Sequence, residues 1–204
     1  MGAFCSMRTL LTVLATIAAA CTMHAQLLDE AALDSARTFR TIERAMQDPD
    51  HVYRLDLSGK KLKVLPEEIK RFKNLNALDI GSNKLRVLPE WLGELTNLQE
   101  FRSSQNKLVD FPVFVCKLKH LKRLDLSRNA LTGLPKCMGG LKELVSLDLW
   151  DNDLVDFPDG IEGMEALRFL DLRNIQFEQP EMDHIQELLP RAKIFFSQPC
   201  NCGM

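Results

Sequence analysis

Six times, at a constant spacing of 23 residues, the chain writes the pattern apolar-x-x-L-x-L-x-x-N-x-L. The copies open at Val52, Leu75, Leu98, Leu121, Leu144 and Leu167, with no insertion or deletion between them. The fourth reads Leu121, Leu124, Leu126, Asn129, Leu131, then Leu134 and Pro135. A single L-x-x-L-x-L would be ambiguous between helix and strand, but six copies in one phase are not. Alternation sends Leu124 and Leu126 inward and Arg123, Asp125 and Ser127 outward. One such strand cannot bury its apolar side alone. The copies must therefore stack into a parallel sheet, with the rest of each turn folding back to cover it.

Two further columns follow the strands. Asn83, Asn106, Asn129 and Asn152 fall just after them, where the chain turns sharply and a side-chain amide can satisfy backbone groups left unpaired. Pro66, Pro89, Pro112, Pro135 and Pro158, each preceded by Leu or Phe, mark the returning arc. Proline fixes φ and supplies no N–H, which suits an extended or tight arc and argues against a long helix beginning earlier. Apolar residues at Ile69, Leu92, Val115, Met138 and Ile161, and again at Phe72, Leu95, Leu118, Leu141 and Met164, are expected to line its inner side.

A period of this length with this pattern is the signature of a leucine-rich repeat solenoid. The L-x-x-L-P-x-x-I-x-x-L flavour resembles the repeats of Ras-pathway and cell-polarity scaffolds and of exported bacterial leucine-rich repeat proteins. The expected fold class is α/β: six repeats with a parallel concave sheet, an N-terminal helical cap and a C-terminal helix–strand cap. Residues 51–180 form the repeats. Residues 27–46 place Leu28, Ala31, Ala32, Ser35, Ala36, Phe39, Ile42 and Met46 at helical spacing, which predicts an amphipathic capping helix within 26–50. Residues 181–204 hold the closing helix (181–189), a strand near 192–196 and a tail. Departures cluster at the ends, as capping requires: Lys60 and Ile175 replace the column Asn, and Glu181 the column Pro. Inside the array, Ser103 replaces an inward Leu, a local packing defect.

Residues 1–25 read as a signal peptide. Arg8 is their one charge, and residues 10–20 form an apolar run too short for a membrane span. Cleavage after Ala25 is the first choice. Ala18-Ala19-Ala20-Cys21 offers a competing, degenerate lipobox with Cys21 as a lipid anchor. The expected location is secreted or in a bacterial cell envelope, periplasm or outer surface. Losing the leader moves the formal charge from −2 to −3, so there is no basic footprint for nucleic acid. Four cysteines remain, Cys116, Cys137, Cys200 and Cys202. Cys116 and Cys137 lie on adjacent arcs, where spacing permits a bond without compelling one.

No hydrolase elbow, phosphate loop or metalloprotease motif is present, so neither catalysis nor a cofactor is expected. His51, His120 and His184 are scattered without zinc-type spacing, and no metal is expected. Asp56, Asp79, Asp125, Asp148 and Asp171 share one strand position, broken by Arg102. Across strands about 4.8 Å apart they should repel one another, and charge compensation by Arg102 is preferred to a calcium site. Function then rests on the exposed strand face. Trp150 and Phe169 point outward, roughly 13 Å apart along the strands, with Arg54, Arg102, Arg123, Arg128 and Arg173 on the same side. Aromatic and Arg side chains dominate interface energetics. Arg102, Arg123, Trp150, Phe169 and Arg173 are therefore the candidate contacts for a protein or peptide ligand, with Arg173 expected over the Trp150 ring. A structural envelope protein with no specific ligand on that face is the alternative.

Overall fold

A computed structural model describes residues 27–197. The leader, its cleavage site, Cys21, Cys200 and Cys202 lie outside the described residues. Eight parallel strands form one sheet in sequence order: β1 (Thr38–Phe39), β2 (Arg54–Asp56), β3 (Ala77–Asp79), β4 (Glu100–Arg102), β5 (Arg123–Asp125), β6 (Ser146–Asp148), β7 (Phe169–Leu172) and β8 (Lys193–Phe196). Register between β2 and β7 follows the 23-residue period without a slip, so Asp56, Asp79, Arg102, Asp125, Asp148 and Asp171 stand in one row. The inward leucines of every copy fuse into one continuous core.

The prolines act where expected. Pro66, Pro89, Pro112 and Pro135 each stand immediately before a short 3-10 turn, the first spanning Glu67–Arg71. The fifth arc instead starts its turn from Gly160, in the left-handed region at φ 100°. All ten apolar residues assigned to the inner side of the arcs are buried. Cys116 and Cys137 are disulfide-bonded across two successive arcs, which settles the pairing that spacing left open.

Each column Asn does more than close its own turn. Asn129 Nδ2 donates to Leu126 O (2.9 Å), Ser127 O (3.2 Å) and, one coil back, Ser103 O (3.0 Å). Its Oδ1 accepts from Leu108 N of that earlier coil at 3.1 Å. Asn83, Asn106 and Asn152 repeat the arrangement. The residue before the Asn position is left-handed in every copy: Gly59, Ser82, Gln105, Arg128, Asp151 and Asn174, with φ between 53° and 67°. Only Gly takes that conformation freely. The amide ladder holds Ser82, Gln105, Arg128 and Asp151 there, whereas Asn174, which precedes Ile175, donates its N–H to Ser197 Oγ at 2.6 Å. The first copy, with Lys60 in place of Asn, also has Lys61 at φ 59°. Ser103 is fully buried, and its coil carries two fully buried rings, Phe101 and Phe114, edge to face at 5.9 Å.

The N-terminal segment departs from a single helix. It forms α1 (Glu30–Ser35), then β1, then α2 (Ile42–Ala45). An amphipathic period alone cannot hold one helix here, because the open edge of β2 offers a row of unpaired backbone groups. Thr38 and Phe39 satisfy them by pairing with Arg54 and Leu55. Thr41 then restarts the helix, its side chain accepting from Arg44 N. At the other end α2 is answered by α3 (Gln179–Leu188) and β8, close to the expected bounds.

Asn129→Ala is expected to cost about 1–3 kcal/mol in urea melts, because several backbone groups lose their partner. Leu126→Ala is expected to cost about 2–5 kcal/mol. A silent Asn129→Ala beside a destabilising Leu126→Ala would refute the role of the ladder. Deleting residues 26–50 strips β1 from the sheet edge and should yield aggregates in size-exclusion chromatography. A monomeric, cooperatively melting truncate would show that the segment is no cap.

Candidate functional site

The outward residues of the strands form two rows, with Ser58, Ser127, Trp150 and Arg173 in a third just past the strand ends, and their environments differ along the array. The first row runs Arg54, Ala77, Glu100, Arg123, Ser146, Phe169 and Lys193. Outward positions should be wet, yet Ala77 and Glu100 are each only 6% exposed. Glu100 sits between two guanidinium groups, 2.6 Å from Arg123 Nη1 and 3.4 Å from Arg54 Nη2. Both arginines also hold α1. Arg123 Nη2 pairs with Glu30, while Arg54 Nη1 donates to Leu33 O at 3.1 Å and faces Asp34 at 3.8 Å. The hydrogen bond to Glu100, more than the charges of Glu100 and Glu30, raises the Arg123 pKa further above its ordinary value. Arg123 is thus an internal strut as well as a candidate contact.

The second row is the aspartate column. Each carboxylate accepts from the backbone two residues on: Asp56 from Ser58, Asp79 from Gly81, Asp125 from Ser127, Asp148 from Trp150 and Asp171 from Arg173. These short turns fix the chain as it leaves each strand. Ser127 also donates its hydroxyl to Asp125 and, although outward, is buried. Burial raises the Asp79 pKa; the charges of Asp56 and Asp125 add to this, against the Gly81 N–H and Arg102. Burial likewise raises Asp148, helped by Asp125 and Asp171 and opposed by the Trp150 N–H and Arg173. At Asp171 burial also pushes upward, but the Arg173 side chain, N–H and charge outweigh it and lower the pKa. Arg102 is exposed between Asp79 and Asp125, the compensating place expected of it. Among the described residues no group of three or more His, Cys, Asp or Glu side chains is placed to hold a metal ion.

The aromatic residues gather at the C-terminal end. Phe169 is 51% exposed and Trp150 half-buried. The expected cation over Trp150 is corrected: it is Arg128, 5.3 Å from the ring centroid, not Arg173. Arg173 is drawn away because its guanidinium forks onto Asp171 and lies 5.8 Å from the Phe195 ring, which Lys193 also faces at 5.0 Å. Phe195 and Lys193 extend the site through β8. Sequence reasoning missed them because β8 lies outside the repeat period and its register cannot be read from it. The convex pair Trp91 and Phe114 offers no comparable surface, since Phe114 is fully buried and Lys70 lies over Trp91 at 5.3 Å.

Asp148→Asn keeps the Oδ1 acceptor for the Trp150 N–H and removes the charge. An acid whose pKa is raised on folding binds its proton more tightly in the folded state. Stability is therefore lost as pH rises through the interval from the ordinary 3.8 to the raised folded value. Asp148→Asn should melt higher than the unaltered chain at pH 7, and the advantage should shrink as pH falls below about 4. A lower melting temperature at pH 7 would show that the turn needs a charged acceptor.

Comparison with known proteins agrees with this geometry. The family model described as leucine rich repeat matches residues 103–154. A leucine-rich repeat protein of Leptospira interrogans is 33% identical, with a TM-score of 0.63 over 78% of this chain and 48% of its own. The chain therefore spans about half the length of that protein. The leucine-rich repeat ectodomain of the membrane receptor kinase GASSHO1/SCHENGEN3 from Arabidopsis thaliana, solved in complex with Casparian strip integrity factor 2, is 26% identical. Its TM-score is 0.60, over 73% of this chain and 19% of its own. Internalin C2 from Listeria monocytogenes, 20% identical with a TM-score of 0.59 over 72% of this chain and 62% of its own, shares the fold. No curated protein matches the sequence. The period, the asparagine ladder, the slip-free parallel sheet and these likenesses together place the chain in the leucine-rich repeat family.

Proposed function

We propose that the chain is an exported interaction module that binds a peptide or protein partner on its strand face, chiefly at the end built from Trp150, Phe169, Phe195 and the arginines beside them. Leucine-rich repeat proteins typically serve as non-enzymatic interaction scaffolds, and the Arabidopsis ectodomain was solved with a bound factor. The observation that carries the reading is the exposed Phe169 ring at the end of the face that also carries Trp150 under Arg128 and Phe195 under Arg173 and Lys193. Phe169 buries little within the monomer, and aromatic and Arg side chains are those most often found at the centre of interfaces. Arg102 and Arg173 supply charge around them, and Arg123 contributes through the part of its guanidinium left outside its two ion pairs.

Export is supported by two features that do not depend on each other. Residues 1–25 have the layout of a secretory leader, with Cys21 lipidation as the competing outcome. The Cys116–Cys137 disulfide, with Cys137 exposed, suits an oxidising compartment. No helix among the described residues is long and apolar enough to cross a membrane.

Trp150→Ala should weaken capture of the physiological partner by at least about 2 kcal/mol. The melting temperature should barely move, because the contact given up with Arg128 is worth about 0.5–1 kcal/mol. Partner capture from an envelope or secreted fraction, followed by titration with the purified partner, checks this. Intact capture by the Trp150→Ala, Phe169→Ala double variant would remove the aromatic end of the strand face from consideration.

A further inference from the structure

α1 does not sit over the end of the solenoid. It lies across the rim where strands β2 to β5 begin, and five polar contacts hold it together with Leu28, which leads into it. Leu28 N donates to Asn76 Oδ1 at 2.8 Å, and Gln99 Nε2 donates to Leu28 O at 2.6 Å. Arg54 reaches Leu33 O and Asp34, and Arg123 reaches Glu30. Leu33, the one buried side chain of α1, shares a cavity of about 140 Å³ with Gln99, Glu100, Lys122, Arg123 and Val145. A six-residue helix has no stability of its own. What holds α1 is a peptide-like set of contacts: two carboxylates four residues apart, a leucine between them, and three backbone groups.

The seat, by contrast, needs no occupant to keep its shape. Glu100 is paired on both sides by Arg54 and Arg123 within the sheet itself. Lifting α1 therefore leaves no buried charge unpaired, the condition that would otherwise make opening costly. The edge of β2 stays closed as well, since β1 and not α1 pairs with it. The covered row also continues without interruption into Ser146 and the exposed Phe169.

We propose that α1 is an intramolecular strap, and that its seat is a recognition site for a partner's short acidic helix of the same pattern, carboxylate-x-x-Leu-carboxylate. Such a partner displaces the strap and runs on along the row to Phe169. The inference rests on the strand face being an interaction surface, and it adds the chemistry of the partner and a competition that regulates access. A ligand that gains the seat only by expelling α1 binds more weakly by the fraction of time the seat is free.

The test uses the full chain and a fluorescent peptide of residues 27–36. Glu30→Lys/Asp34→Lys in the full chain places two lysines against Arg123 and Arg54 and drives the strap off without altering the seat. Fluorescence anisotropy should show the peptide binding this variant at least tenfold more tightly than the unaltered chain. A peptide carrying the same two lysines should bind neither. Hydrogen exchange at residues 28–35 should be fast in the variant and slower in the unaltered chain, with β2 to β5 protected in both. Three results would overturn the proposal: a released strap with no gain in peptide binding, a strap still protected after charge reversal, or a collapsed melting temperature, which would make α1 a structural cap. A negative peptide titration leaves the aromatic end standing. Intact partner capture by the Trp150→Ala, Phe169→Ala chain removes the aromatic end without bearing on peptide binding at the rim.

Discussion

The stack of coils depends on one repeated contact, the asparagine amide that joins each of the four inner turns to the coil before it. A tight turn into the returning arc requires a left-handed residue after every strand, and five of the six residues there are not glycine. Each would relax toward an ordinary conformation if its neighbours did not over-determine it. Asn129 does so by donating to two carbonyls of its own turn and one of the previous coil, while accepting an N–H from that coil. The same four-point grip recurs at Asn83 and Asn152. Strand spacing, inward leucines and the aspartate row all inherit their register from it.

Register has an electrostatic consequence that the fold absorbs rather than avoids. Keeping the aspartates in phase sets like charges on adjacent strands and raises the pKa of Asp79 and Asp148 through burial and mutual repulsion. The array tolerates this because every carboxylate accepts a backbone N–H at the turn that follows, because Arg102 interrupts the run, and because Arg173 pairs with Asp171 at its end. The positive charge is distributed by use. Arg54 and Arg123 are committed to Glu100 and α1, and Arg173 to Asp171, so the cation left to lie over Trp150 is Arg128.

What the sequence made legible is what the period carries. The phase of Leu124, Leu126 and Asn129, repeated six times, determines strand order, burial and register, and the prolines determine where each arc turns. Features outside the period were not legible. The helical spacing of residues 27–46 is real, yet an unpaired sheet edge outweighs it and makes Thr38–Phe39 a strand. Within the period, Asn74 and Asn97 each donate to a carbonyl 24 residues earlier, but two copies are too few to mark them as a column. That Arg123, a candidate contact, is also a strut was hidden for a similar reason. Its partner Glu30 lies 93 residues away, in a segment with no repeat to place it.

The strand face is therefore two surfaces rather than one. At the β2–β5 end the rim is charged, preorganised by the Arg54–Glu100–Arg123 bridge and covered by six residues that bury a single leucine. At the β6–β8 end it is aromatic, uncovered and bordered by cations. Aromatic anchors supply affinity with little specificity, whereas a paired-arginine seat selects carboxylates at a fixed spacing and rejects other charges. A partner that meets Phe169 first can be tested against the rim only by displacing α1. Recognition and release of the strap are in that case one event, and the most polar part of the face sets the specificity of the most apolar part.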